Sequence, residues 1–142
     1  MAGGGTGPTT MVMAEQLNHT QSEIVYLDFS ASSMKVAQSR AKVRGLKNIV
    51  WISEGIENIN RLNLPKFDFM QCSGVLHHLK SPITGLKVLK DSLKIEGGID
   101  LMVYGTHGRI GVYHMQEMLQ MINSETGNIM GELRAANVTL QR

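Results

Sequence analysis

The sequence predicts an α/β domain: a doubly wound, mostly parallel sheet with helices on both faces. Three observations carry that prediction. Short apolar runs bounded by Gly, Asp, Asn or Pro alternate with longer amphipathic stretches, the pattern of a parallel sheet covered by helices. A glycine-rich segment, Gly3-Gly4-Gly5-Thr6-Gly7, leads directly into Pro8 and a helical pattern. An acidic residue, Asp28, closes the next apolar run, Ile24-Val25-Tyr26-Leu27, where such a sheet would present a carboxylate at its ligand-bearing edge.

Taken in order, a helix is expected over Thr9 to Leu17, then a strand over Glu23 to Leu27. A second helix spans Ser30 to Arg44, with Ser30 as N-cap and Gly45 suited to the C-terminal turn. Strands follow at Ile49 to Ser53 and Phe67 to Cys72, each apolar on both faces as a buried parallel strand should be. Ser81 and Pro82 mark the start of a helix over Ile83 to Leu93, because proline is tolerated at the first helical position. A last strand is read at Ile99 to Tyr104 and a helix at Ile110 to Ile122. Asn123 to Arg142 is polar, with a short helix read over Gly131 to Asn137.

Bulk composition narrows the class further. A chain of 142 residues that is 42% hydrophobic can bury a real core in one domain. The formal charge is +2, with Lys and Arg scattered, so there is no basic stripe of the kind that tracks nucleic acid. No run of some 20 apolar residues suggests a membrane span. The single cysteine, Cys72, forms no internal disulfide and suits a reducing compartment, so a cytoplasmic location is expected. Met115, Met118 and Met121 recur at helical spacing, which reads as core packing.

The glycine segment is the first feature that carries chemistry. Glycines lack the side chain that would keep a ligand away from backbone N–H groups, and a helix N-terminus behind them favours phosphate-like or nucleotide-like groups. The spacing present is G-x-G-x-G, through Gly3, Gly5 and Gly7; in the dinucleotide fingerprint the last glycine would fall on Pro8. Asp28 lies 21 residues after Gly7, a helix plus a strand away. There a carboxylate can accept hydrogen bonds from both ribose hydroxyls. Asp28 also suits the plainer task of starting the turn into the Ser30 helix.

His77 and His78 are adjacent, so in a regular element they point apart and do not chelate one metal as an i, i+4 pair does; no metal is expected. One of them suits a general base at the ligand edge, and a loop histidine bonded to backbone suits the pattern equally. Arg109 falls just beyond the last strand, where it would bind an acceptor anion or anchor the following helix. The chain has no G-x-S-x-G elbow, P-loop lysine or H-E-x-x-H.

Ala2-Gly3-Gly4-Gly5-Thr6-Gly7, Leu27-Asp28-Phe29-Ser30, Phe67-Asp68 and Cys72-Ser73-Gly74-Val75-Leu76-His77-His78-Leu79 stand in this order. Together they make the chain resemble the class I S-adenosylmethionine-dependent methyltransferases over roughly residues 2 to 122. The resemblance implies a Rossmann-like sheet in the order 3-2-1-4-5 and S-adenosyl-L-methionine as cofactor. It places Gly3, Gly5, Thr6 and Gly7 under the methionine portion, Asp28 on the ribose and Phe29 beside the adenine. Cys72, Ser73 and Gly74 would lie at the carboxyl end of the following strand, with His77 and His78 close to the methyl group. Gly55, followed by Ile56, aligns where many relatives place an acid for the adenine amine; Glu54 and Glu57 are displaced candidates.

The same resemblance makes the chain look cut short at both ends. Only Met1 and Ala2 precede the loop, so the first and central strand is expected to be missing, and the sixth and seventh strands are not reached. Residues 1–142 are read as one partial domain, 1–122 being its cofactor-binding core and 123–142 an unassigned segment. A stable monomer of this chain alone is not expected, because the gap would leave buried backbone groups unpaired at about 1–3 kcal/mol each. The expected reaction is methyl transfer to an unidentified acceptor, with His77, His78 and Arg109 as candidate catalytic residues. A nicotinamide-dependent oxidoreductase, and a binding module that has lost activity, are the rival readings.

Overall fold

A computed structural model describes residues 1–105 and 107–123. The chain divides into two compact units, Met1–Val103 and Tyr104–Arg142.

In the first unit Gly7, at φ 82°, turns the chain into α1 (Pro8–Leu17), with Pro8 in its first turn. Strand β1 (Ile24–Leu27) follows, then α2 (Ala31–Val43). The Ser30 hydroxyl caps α2 by accepting the Ser33 N–H at 3.3 Å, and Gly45, at φ 66°, takes the left-handed position after its last turn. Strand β2 (Ile49–Ile52) lies parallel to β1, Tyr26 opposite Trp51. A 3₁₀ segment, Ile56–Arg61, leads to β3 (Phe67–Ser73). The short 3₁₀ turn Leu76–His78 and α3 (Pro82–Ser92), capped by Ser81 as expected, then lead to β4 (Leu93–Met102).

β4 begins six residues before the expected start at Ile99. Gly97-Gly98, just ahead of the expected start, lies inside the strand, where the β3–β4 register shifts between Phe67 and Phe69. A Cβ at Gly97 would stand 2.9 Å from the Phe67 carbonyl oxygen, so the close backbone approach at this irregularity requires glycine.

The described strands form two parallel pairs, β1–β2 and β3–β4. Met1 and Ala2 occupy the position between them. Leu27 N–H donates to the Met1 carbonyl at 3.0 Å, Gly3 N–H donates to the Leu27 carbonyl at 2.8 Å, and Ala2 N–H donates to the Gln71 carbonyl at 2.8 Å. Ala2 and Leu27 form a parallel bridge. Two residues therefore stand where the fold's central strand is expected. Below them lies a cavity of about 470 Å³ lined by both open edges, Val25 and Leu27 on one side and Phe67 and Met70 on the other.

Alternation along β1 feeds two cores, because successive side chains point to opposite faces. Ile24 and Tyr26 pack with Met11 and Ala14 of α1 and with Met34 and Ala37 of α2. Leu27 packs with Ile56, Met70, Cys72, Leu76 and Leu89. Helices thus cover both faces, as the alternation predicts. The expectation of strands buried on both faces holds less well for β3 and β4: Asp68, Phe69 and most of β4 are exposed. The β3 edge is open below Ala2, and among the described residues β4 pairs on one side only.

In the second unit a 3₁₀ turn, His107–Arg109, precedes α4 (Ile110–Asn123). Met115, Met118 and Met121, expected as core, are exposed, Met121 by 68%. α4 packs against the short turn ahead of it, which has no buried residue to offer a core. The segment after residue 123, including the helix expected over Gly131 to Asn137, lies outside the described residues.

Candidate functional site

The site is assembled at the carboxyl ends of β1 and β3, around the glycine loop. Gly3, Gly5 and Gly7 all have positive φ, at 77°, 54° and 82°, a region that costs other L-residues about 1–2 kcal/mol each. Two of them also lack room for a side chain. A Cβ at Gly3 would collide with Val75, and one at Gly7 would stand 2.8 Å from the Ala37 Cβ. At Gly5 an added Cβ would meet nothing within 4 Å, so this glycine faces open space.

Asp28 is buried to 8% exposure and joins the loop to the sheet. Its Oδ2 accepts the Gly5 N–H at 2.7 Å and its Oδ1 accepts the Ser30 N–H at 2.8 Å. An ionised carboxylate offers about four lone-pair sites, so each oxygen retains one for a ligand hydroxyl. The carboxylate therefore both fixes the loop and remains an acceptor. Thr6 is held from below: Arg40 Nη1 donates to its carbonyl at 2.8 Å and to its hydroxyl at 3.2 Å.

Phe29 follows Asp28 and is 82% exposed, so no protein core holds it. Across the edge, Glu54 Oε1 accepts the Gly55 N–H at 2.8 Å and the Asn58 side-chain amide at 3.0 Å. Those donors, Asn58 first, hold the Glu54 carboxyl below the usual range. Ile56 is buried in the core beneath. Glu54, beside the aligned Gly55, is thus oriented by Asn58 four residues on, and the Glu57 carboxylate also lies close to Gly55.

From β3, Ser73 is exposed and Gly74 turns the chain at φ 73°, its N–H bonded to the Met102 carbonyl at 3.0 Å. Cys72 stands at the strand's carboxyl end as expected, but its thiol points into the core and is fully buried. Burial pushes that thiol above its ordinary pKa of 9.0. Folded chain should therefore resist iodoacetamide at pH 8, labelling at least ~100-fold more slowly than chain in urea, since reaction waits on opening. Equal rates in the two conditions would contradict this placement. Because the folded pKa is raised, the stability linked to the thiol is intact below pH 9.0 and declines above it.

The expected divergence of His77 and His78 is corrected by the structure. In the 3₁₀ turn Leu76–His78 their Nε2 atoms lie 3.0 Å apart and their ring centroids 4.2 Å apart. The turn is not a regular helix or strand, and with Leu76 buried beneath it the two rings meet, His77 half-buried and His78 exposed. One imidazole then donates to the other in complementary tautomers. Arg109 belongs to the second unit, where its guanidinium lies 3.8 Å from the centroid of the Tyr104 ring.

Sequence reasoning missed Tyr26. Its hydroxyl donates to the Gly5 carbonyl, its ring lies directly against Gly4, and it is fully buried. The available signal was an aromatic residue two positions before Asp28, on the face of β1 that carries Ile24.

Among the described residues, no helix is long and apolar enough to cross a membrane. The methyltransferase-domain family profile matches residues 2–99. An uncharacterised protein of Synechococcus is 35% identical over 125 residues, covering 87% of this chain and 29% of that protein. A tRNA U34 carboxymethyltransferase of Helicobacter pylori is 42% identical over 55 residues, 39% of this chain and 21% of that enzyme. The chain thus spans less than a third of the length of either relative. The structure of PKMT2 from Rickettsia typhi, in complex with AdoHcy, superposes with a TM-score of 0.76 at 20% identity, over 99% of this chain and 27% of that one. That likeness extends to the fold, Rossmann-like with its doubly wound, mostly parallel sheet. With the profile matched from the glycine loop through β3 and into β4, the chain belongs to the methyltransferase-domain family.

Proposed function

We propose that this domain binds S-adenosylmethionine at the loop edge and directs its methyl group to a nucleophile on an acceptor by in-line displacement. The observation that carries the reading is the Asp28–Gly5 bond of 2.7 Å, which makes loop and carboxylate one rigid unit with spare acceptor capacity. The residues fit the cofactor. Gly5 opens onto space that a ligand can enter, and Asp28 offers two free lone-pair sites to a pair of ribose hydroxyls. The exposed Phe29 ring suits one face of an adenine. Glu54, fixed by Gly55 and Asn58, suits the adenine amine.

When bound, the cofactor supplies the activated methyl and its leaving group, so the protein's task is alignment and exclusion of water. Gly3, Gly5, Thr6 and Gly7 would position the methionine end, while Ser73 and Gly74 border the approach to the methyl. The His77–His78 pair is the candidate proton acceptor for an acceptor nucleophile that arrives protonated. We assign the chain to a reducing, cytoplasmic setting because its buried Cys72 is a free thiol.

The test is a ligand panel read by thermal shift. S-adenosylhomocysteine at about 100 times its dissociation constant should stabilise the fold by about 2.7 kcal/mol, while NADH at equal concentration should not. A shift with NADH alone would replace the reading with a nicotinamide enzyme. A shift with neither would favour a binding module without cofactor.

A further inference from the structure

We propose that Tyr26 is a positioning residue for the cofactor: its hydroxyl locks the Gly5 peptide in the orientation that receives the ligand. The inference rests on the methyl-transfer reading above. Gly5 is the loop glycine with open space where a side chain would be, so no neighbour packs on that side of it. Hydrogen bonds at both of its polar groups hold it instead. Its N–H is taken by Asp28 at 2.7 Å and its carbonyl by the Tyr26 hydroxyl. Asp28 holds only the peptide before Gly5; the peptide after it lies inside a turn that Gly7 N–H closes on the Gly4 carbonyl at 3.0 Å, and Tyr26 is the side chain that bonds its carbonyl.

Tyr26 is built to act as a fixed post. Its ring fills the space beneath Gly4, which sets the height of the loop above the sheet. Trp51, opposite it on β2, backs the ring at a centroid distance of 4.8 Å and a 51° tilt. The ring is fully buried. Burial and then the Asp28 charge push the phenol up to about 12, so the hydroxyl remains a proton donor throughout the assay range. A loop held in its binding conformation avoids the loss of apparent affinity that follows when only a fraction of molecules is competent.

Tyr26→Phe keeps the ring and removes only the hydroxyl. Calorimetric titration should show S-adenosylhomocysteine binding weakened about three- to tenfold, the equivalent of one neutral hydrogen bond. In amide NMR spectra of the 142-residue chain, the Gly5 resonance should shift and broaden, while that of Gly45 remains in place. Equal affinity in the variant overturns the proposal, as does an unperturbed Gly5 resonance. A variant that fails to fold would assign the hydroxyl to stability and overturns it too. Failure of the unmodified chain to bind removes the methyl-transfer reading itself, which separates the two failures.

Discussion

Asp28→Ala should weaken S-adenosylhomocysteine binding by a hundredfold or more, the largest effect of any single substitution in the pocket. Two ribose hydroxyls bonded to a carboxylate contribute about 1.5–3 kcal/mol each, or about 3–6 kcal/mol together, and each 1.4 kcal/mol is a factor of ten. The loop compounds the loss, because the Gly5 N–H is left without its acceptor. The same substitution also frees the Ser30 N–H at the start of α2, so a modest drop in melting temperature should accompany it. Asp28→Asn separates the two effects. It keeps an acceptor oxygen but loses the charge, so its affinity should fall between wild type and Asp28→Ala. Calorimetric titration checks both variants, and an Asp28→Ala chain within about threefold of wild type would remove Asp28 from the ribose.

Gly7→Ala should have the second largest effect, on stability. Gly7 sits at φ 82°, where an alanine costs about 1–2 kcal/mol. Its Cβ would also stand 2.8 Å from that of Ala37, in the contact that joins α1 to α2. Overpacking such a contact costs about 1–3 kcal/mol. The sum, about 2–5 kcal/mol, is a large share of the stability of a small domain. The urea midpoint should fall accordingly with an unchanged m-value. A midpoint within error of wild type would show that α1 and α2 adjust without cost and that the close approach is not what requires glycine.

How far the sequence foretells this structure depends on how local each feature is. Helix starts at Pro8, Ser30 and Ser81 are legible because caps and prolines act within one turn of themselves. The meeting of the glycine loop with Asp28 is legible because a helix plus a strand returns the chain to the same sheet edge. The early start of β4 is not. Leu93 pairs with Phe67 through a register shift set by the neighbouring strand, and a Gly-Gly pair inside a strand reads locally as a turn.

The convergence of His77 and His78 is hidden for a related reason. Adjacent side chains diverge in regular elements, and the 3₁₀ turn anchored by buried Leu76 brings the two rings together. The part played by Tyr26 requires knowing that Gly4 lies on its ring, a contact across 22 residues that no periodicity reports. The exposed methionines of α4 show the converse limit. Helical spacing predicts an apolar face but not what covers it.

The most direct test of the central claim is a crystal structure of the chain grown with S-adenosylhomocysteine. The account predicts both ribose hydroxyls within hydrogen-bond distance of the Asp28 carboxylate, with the homocysteine portion over Gly3 to Gly7 and the adenine between Phe29 and Glu54. A ligand seated elsewhere, or one whose ribose makes no contact with Asp28, would contradict it.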